Sequence, residues 1–485
     1  MVQKIENAKY LSDVYDFIPE DVILNKGITG CGGTHLELNS KRNSIILVPT
    51  IELIKNKLTP NIQPVYGDIP NSDIIYYLCN YTGYKKLIGT YDSLQRISQL
   101  VNPKDYFLLI DEYHLMFNAY SYRNKAILYI LDHYKDYNHF CFMSATPLND
   151  LCILKELEDI PQLTLEWVNA KKVKIDIVDT YYTMRSLKQL IQSDDSVNWH
   201  IFLNSVRSIK DFIEHNQIED YRVICSQTSK KGFKKLKFAS TKDPVAKYNF
   251  YTSCSFEGTD LMDPAGKTVI VCDTNIATTI LDISTLIRQI CGRLRDSIYK
   301  DQVTLILNTN NHRYANVPKY VFEQELNKNI QCGKRTEEQF NVASEFDKYL
   351  ELRKYNPETY NSFYVNRIDN NLFYDDNLRK MDEYNYHLVS EIYNSSISVL
   401  TECVSSYLEP NLKSGNAITV PSWILENLTE KWYSYDELDY IFTPIFKQHG
   451  LVYNQQNSII SYFPKYDKKR ICKNGDRKIY YRFKL

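Results

Sequence analysis

Nine short apolar runs restrict the fold of this chain more than any other feature: "SIILVP", "KLIGT", "YFLLID" and "HFCFMS", then "WHIFLN", "YRVICS", "YNFYTS", "KTVIVC" and "VTLILN". Helix-length polar or amphipathic stretches lie between them. A strand reads as nearly uniformly apolar when neither of its faces meets water, the condition of a parallel sheet covered by helices on both sides. The runs form two sets with a break near residues 165–185, which predicts two α/β domains in series, over 1–165 and 166–310. A chain of 485 residues has room for further units, and it shows no internal repeat and no low-complexity tract.

Composition narrows the setting. The eleven cysteines include no CxxC pair, and Cys141 and Cys272 sit inside apolar runs. A reduced compartment suits this better than a disulfide scaffold or a zinc module. No run approaches the roughly eighteen apolar residues of a membrane span, and charges interrupt the N-terminal "MVQKIENAKYLSDVYDF". The expected location is therefore the cytoplasm, with no membrane partner. A formal net charge of -1 leaves any nucleic-acid contact to local patches. Glycine is scarce, 15 in all, which makes four of them between 27 and 33 informative.

That cluster is "GITGCGGTH", residues 27–35, between "DVIL" as a strand and "THLELNSK" as a helix start. Gly27, Gly30 and Gly32 let backbone N–H groups curl around phosphate oxygens, the helix N-terminus adds its positive dipole end, and the Thr34 hydroxyl suits Mg²⁺. Alone, such a cluster is more often a tight turn. Three distant stretches supply partners. In "LLIDEYH", residues 108–114, a strand ends in Asp111, which can hold a hydrated Mg²⁺, and Glu112, which can polarise a water. A solvated acidic strand end is the ordinary alternative. "FMSATP", residues 142–147, is a strand running into hydroxyl residues. "RQICGRLRD", residues 288–296, reads as a helix projecting Gln289, Arg293 and Arg295 toward a domain cleft, where arginines can neutralise a transferring phosphoryl group; alone, it is more often a solvated basic helix face.

In this order the pieces resemble superfamily 2 helicases and translocases, the DExH-type motors with two RecA-like domains, over about residues 20–310. "GITGCGGT" is similar to motif I, "LVPT" at 47–50 to motif Ia, "GTYDSL" at 89–94 to motif Ib, "DEYH" to motif II and "SAT" to motif III. "HIFLNSV" at 200–206, "TSCSFEGTDL" at 252–261 and "QICGRLR" at 289–295 are similar to motifs IV, V and VI. The resemblance implies ATP and Mg²⁺ as cofactors. It places Gly27, Gly30, Cys31, Gly32, Gly33, Thr34, Asp111, Gly258 and Asp260 around the nucleotide, with Thr34 and Asp111 on the Mg²⁺. It makes Glu112 the catalytic base, completed by Gln289, Arg293 and Arg295. His114, Ser144 and Thr146 would couple nucleotide state to domain movement, and Thr50, Thr90, Thr252 and Ser253 would touch the nucleic-acid backbone. The glycine-rich loop and the compositional bias also look similar to helicases of phages and mobile elements, which would place the protein in a bacterial host and beside replication or recombination proteins.

One residue departs from the family pattern: Gly33 stands where a lysine reaches the β and γ phosphates. Three readings follow. Lys26, just before Gly27, can substitute if it points inward from its strand end. Hydrolysis can persist slowly on Mg²⁺ and the motif VI arginines. Or the chain is a pseudo-helicase that binds nucleotide or nucleic acid as a scaffold. Retention of Asp111, Glu112, Gln289, Arg293 and Arg295 favours a working ATPase that grips single-stranded or forked nucleic acid, DNA rather than RNA, through its backbone.

Outside the motifs, "SKKGFKKLK" at 229–237 sets lysines around Phe233, which could rest on a base or sugar. Residues 311–425 read as a mainly helical accessory or linker region. Residues 426–485 combine a helical stretch broken near Pro444 with a hairpin signalled by Asn474-Gly475. Lys468, Lys469, Arg470 and Arg477 lie on that hairpin. The expected architecture is thus two tandem RecA-like parallel-sheet domains and a mainly helical C-terminal region ending in a winged-helix-like basic hairpin.

Overall fold

The computed structural model describes residues 1–146, 149–170, 172–256, 260–309, 317–406, 408–414, 422–448, 453, 459, 466–473 and 476–483. The first sheet contains β1 (Val2–Ile5), β2 (Val22–Asn25), β3 (Ser44–Val48), β4 (Ile62–Val65), β5 (Lys86–Thr90), β6 (Phe107–Asp111), β7 (His139–Ser144) and β8 (Gln162–Trp167). Its order is β1-β8-β2-β7-β6-β3-β5-β4, and every pairing is parallel. β3, β5 and β6 are buried at every position. Alternate residues feed opposite faces: Ile45 and Leu47 join one apolar cluster, Ile46 and Val48 another.

The second sheet is also wholly parallel, in the order β11-β12-β10-β13-β14-β9-β17. β9 (Lys174–Asp179), β10 (Asn198–Phe202), β11 (Tyr221–Ile224), β12 (Tyr248–Tyr251), β13 (Gly266–Cys272) and β14 (Gln302–Leu307) come from the expected second half. Two tandem parallel-sheet α/β domains are therefore present, with the nine apolar runs on strands. The first sheet runs on to Trp167, and the second recruits a strand from far downstream: β17 (Glu409–Ser414) pairs in parallel with β9.

Between the second sheet and β17, helices Lys319–Val342, Glu345–Lys354, Asp376–His387 and Ser396–Ser405 surround a small antiparallel hairpin, β15 (Val365–Ile368) with β16 (Asn371–Tyr374). This region is no free linker. The Tyr120 hydroxyl donates to Asp375 at 2.9 Å, the Lys155 amide to the Asn377 side chain at 2.9 Å, and Lys380 Nζ to the Ile153 carbonyl at 2.8 Å, all on the first domain. Tyr393 donates to the Leu281 carbonyl of the second domain at 2.8 Å. Gly333 lets the long helix meet this unit closely, since a Cβ there would stand 2.1 Å from the Phe363 carbonyl oxygen. Gly333→Ala, far from any motif, is expected to cost about 1–3 kcal/mol and lower the melting temperature measured by circular dichroism.

The C-terminal unit has its own apolar cluster, with Leu438, Phe442, Phe446, Tyr481 and Phe483 buried together. The order of its sheet is β18-β20-β19, antiparallel, from β18 (Tyr433–Ser434), β19 (Tyr466–Lys473) and β20 (Asp476–Phe483). Lys473 pairs with Asp476, as a two-residue turn requires, while Asn474 and Gly475 lie outside the described residues. One expectation is corrected here. The helix Tyr435–Gln448 is not broken at Pro444 but runs through it, because Leu438, Phe442 and Phe446 anchor one face on both sides of the proline. Among the described residues, no helix is long and apolar enough to cross a membrane.

Candidate nucleotide site between the two parallel-sheet domains

The glycine loop joins β2 to the helix Gly33–Asn39. Gly27, Gly30 and Gly32 have φ of 76°, 75° and 82°, a left-handed backbone that L side chains resist. Gly27 also passes beneath β8, where a Cβ would meet the Leu165 carbonyl at 2.2 Å. Cys31 is buried, and its carbonyl accepts the Leu11 amide at 2.8 Å, fastening the loop to the N-terminal segment. At the foot of the helix, buried Glu37 pairs with Arg42 at 2.6 Å, and Lys86 donates to the Glu37 carbonyl, Ser40 and Ser44 at 2.7–3.0 Å. The helix whose N-terminus faces the loop is thus clamped to β3 and β5.

The acidic pair arrives from β6. Asp111 is buried, and its carboxylate accepts the Thr34 hydroxyl at 2.5 Å and Lys26 Nζ at 3.4 Å. Glu112 has φ of 53°, a costly backbone for a non-glycine residue, and it is held there by several bonds. Its amide donates to Asp111 at 3.0 Å, and the Tyr91 hydroxyl donates to the Asp111 and Glu112 carbonyls at 2.8 and 3.0 Å. Tyr91 was not identified from the sequence, although it lies inside "GTYDSL". Thr34 and Asp111 together present adjacent hard oxygens, a donor set that fits Mg²⁺ with water and phosphate completing its shell.

Lys26 turns inward. Its ammonium lies 3.4 Å from Asp111 and 3.5 Å from Glu112, with 7 % of the side chain exposed. Its backbone is held on two sides, donating to the Ser144 carbonyl at 2.8 Å and accepting the Trp167 indole N–H at 2.7 Å. Burial works against the charged ammonium, but Asp111 and Glu112 outweigh it and hold Lys26 above the ordinary lysine value. Burial likewise pushes Asp111 upward, and the Lys26 charge and Thr34 hydroxyl reverse this, leaving it below the ordinary carboxylate value. Gly33 points elsewhere. A Cβ there would meet Met143 Sδ at 2.7 Å and Leu11 at 3.3 Å, both members of the apolar cluster under the loop.

The other expected residues converge unequally. His114 is fully buried, with Nδ1 2.8 Å from the Ser144 hydroxyl and 3.4 Å from Glu112; Ser144 in turn lies 3.2 Å from the Thr146 hydroxyl. From the second domain, the Gln289 side chain donates to Glu112 at 3.3 Å. Arg293 is buried and donates to the Gln289 carbonyl and side-chain oxygen, both at 2.9 Å, so it orients Gln289. Arg295 is partly exposed, pairs with Asp260 at 2.7 Å and faces the loop, since a Cβ at Gly30 would lie 3.0 Å from its guanidinium. Arg288, not identified as a site residue from the sequence, donates to the Gly27 carbonyl. Gly258 lies outside the described residues.

The expected backbone-contact residues are scattered. Thr90 and Thr252 are buried and bond to Ser93 and to the Ile224 carbonyl. Thr50 caps the helix Ile51–Lys57 by accepting the Leu53 amide. Ser253 is exposed, with its amide held by Asn204 at 3.0 Å. Phe233 is half-buried against the core of the second sheet. On the C-terminal hairpin, Lys468 is exposed and Lys469 stacks 4.0 Å over the Trp432 ring. The side chains of Arg470 and Arg477 lie outside the described residues.

The helix carrying Gln289 ends at Cys291, so Arg293 and Arg295 stand not on it, as the sequence suggests, but on the segment after Gly292 that pairs with Leu261. Fold and site together define a two-domain α/β chain with a glycine loop and an acidic strand end facing this glutamine–arginine segment across a cleft. No protein-family model matches the chain. No curated protein sequence matches it. Among solved structures it is similar to the Mycobacterium smegmatis helicase Lhr bound to ssDNA and AMP-PNP, at 14% identity and TM-score 0.40 over 61% of this chain and 44% of that one. It is also similar to S. cerevisiae Dbp5 bound to RNA and ADP BeF3, at 16% identity and TM-score 0.41 over 60% and 79%. A third is RecG bound to a three-way DNA junction, at 17% identity and TM-score 0.38 over 62% and 41%. The matched part of this chain spans less than half the length of Lhr and RecG.

Proposed function

We propose that this chain is an ATP-dependent nucleic-acid helicase or translocase in which nucleotide closes the interdomain cleft and hydrolysis reopens it. The observation that carries this reading is the bond across the cleft from Gln289 to Glu112, beside Arg295 at the glycine loop. A general base at one wall and a guanidinium at the other meet only when the domains are together, which ties chemistry to movement. Gly27, Gly30 and Gly32 cradle the phosphates, and Thr34 and Asp111 hold Mg²⁺. Bound there, the ion neutralises charge on the phosphate oxygens. Glu112 accepts the proton of the attacking water. The buried His114–Ser144–Thr146 chain relays the position of Glu112 to the end of β7.

Single-stranded or forked nucleic acid, DNA in the first instance, is the proposed track, and the C-terminal unit with its basic hairpin is proposed to act as a winged-helix-like grip. Steady-state ATP turnover with and without single-stranded DNA or RNA tests the reading; a folded chain that neither binds nor hydrolyses ATP would sink it. Charge reversal of Lys468 and Lys469 together is expected to weaken DNA binding about tenfold or more and to flatten its salt dependence by about two counterions, as read from anisotropy titrations at several salt concentrations.

A further inference from the structure

The position that a phosphate-gripping lysine occupies in motors of this type is Gly33, where a Cβ would press on the side-chain ends of Met143 and Leu11. A cation is nonetheless present in the site. Lys26 enters from the opposite end of the glycine loop and places its ammonium between Asp111 and Glu112, beside the hydroxyl of Thr34. Its backbone is fixed from three elements, by β7 through the Ser144 carbonyl, by β8 through the Trp167 indole, and by the second domain through Arg288 on the next carbonyl.

We propose that Lys26 is the phosphate-binding cation of this site, having taken over from the loop's other end the contact that Gly33 cannot make. The proposal rests on the nucleotide-binding reading above. Without nucleotide, the two carboxylates hold the ammonium in the pocket. With Mg²⁺ and a nucleotide bound, Asp111 and Thr34 would hold the metal, and Lys26 Nζ would be free to face the phosphate oxygens at the loop. A buried ammonium that leaves one set of oxygens must find another, and the terminal phosphates supply it. The backbone stays in place, and the change is confined to the Lys26 side chain.

A structural alternative exists: Lys26 serves only to neutralise the acid pair. The two differ in how affinity depends on phosphate number. Calorimetric titration of the full chain with AMP, ADP and AMP-PNP in the presence of Mg²⁺ is the test, on the parent, Lys26→Ala and Lys26→Arg. We expect Lys26→Ala to weaken AMP-PNP binding by about tenfold or more, ADP less and AMP hardly at all, with Lys26→Arg recovering part of the loss. Equal weakening of all three, or no change in any, would overturn the proposal while leaving nucleotide binding intact. A parent chain that binds none of them would overturn the reading beneath it as well.

Should Lys26→Ala fail to fold, the parent chain answers directly. An acyl-phosphate derivative of ATP transfers its acyl group to the nearest amine: at alkaline pH the ammonium gives up a proton to buffer, its nitrogen attacks the acyl carbon, the amide bond forms with loss of a second proton to buffer, the acyl–oxygen bond breaks and ATP leaves. Label on the tryptic peptide containing Lys26, blocked by excess AMP-PNP, supports the assignment. Protected label confined to another lysine overturns it.

Discussion

Glu112→Gln is expected to reduce nucleic-acid-stimulated ATP turnover by about a hundredfold or more while leaving nucleotide affinity within a few-fold of the parent. The amide keeps the size and the donor–acceptor reach needed to meet Gln289 and His114 but cannot take a proton. The backbone makes the site informative in a second way. Glu112 occupies a left-handed conformation, so Glu112→Gly relieves strain that the parent stores. Its melting temperature is expected to equal or exceed that of the parent while turnover stays abolished. A calorimetric scan beside the turnover assay separates these effects, and an active Glu112→Gln chain would remove Glu112 from the role of base.

Arg295→Ala is expected to cost turnover about a thousandfold with little change in stability or in nucleotide affinity of the open chain. Arg295 is partly exposed, has Asp260 as its partner and reaches the loop from the other domain. On the proposed function its charge would serve the transition state rather than the packing. Arg293→Ala should behave differently. Arg293 is buried and bonds twice to Gln289, so its removal strips the positioning of Gln289 and also lowers the melting temperature. Matched turnover and unfolding measurements on the two variants distinguish them. Equal destabilisation by both would mean that neither guanidinium is reserved for chemistry.

What the sequence revealed follows from where water is excluded. Strands buried on both faces announce themselves, which is why β3, β5, β6 and β13 could be read from composition alone. The edge strand β11, "YRVI", does so too, but the other three edge strands of the two sheets do not. β1 is "VQKI", β4 carries Pro64, and β17 is "EPNLKS", with Leu412 its one aliphatic residue and Pro410 inside it. Such strands pair through backbone groups and leave little apolar trace. In the candidate site, Asp111, Glu112, Thr34 and Gln289 could be picked out because their spacings resemble those of known motors, and the structure brings the four together. The direction of Lys26 was not, since it depends on a carboxylate 85 positions away and on Trp167 closing behind it. The intramolecular partners of Thr90 and Thr252 were not legible either: a hydroxyl at a strand end looks the same in sequence whether it faces a ligand or its own backbone.

The parallel pairing of β17 with β9 also bears on how the protein is made. β9 is the first strand of the second domain to leave the ribosome, yet its outer edge stays open until residues 409–414 follow, more than two hundred positions later. Throughout that interval the nascent chain presents an unpaired strand edge next to a complete first domain, which favours delayed closure and a need for protection against edge-to-edge association. A gene fragment ending near residue 310 would encode all the motifs and still yield an unfinished sheet. The smallest unit expected to fold alone therefore ends after Ser414, and the accessory region is the thread that closes the second domain.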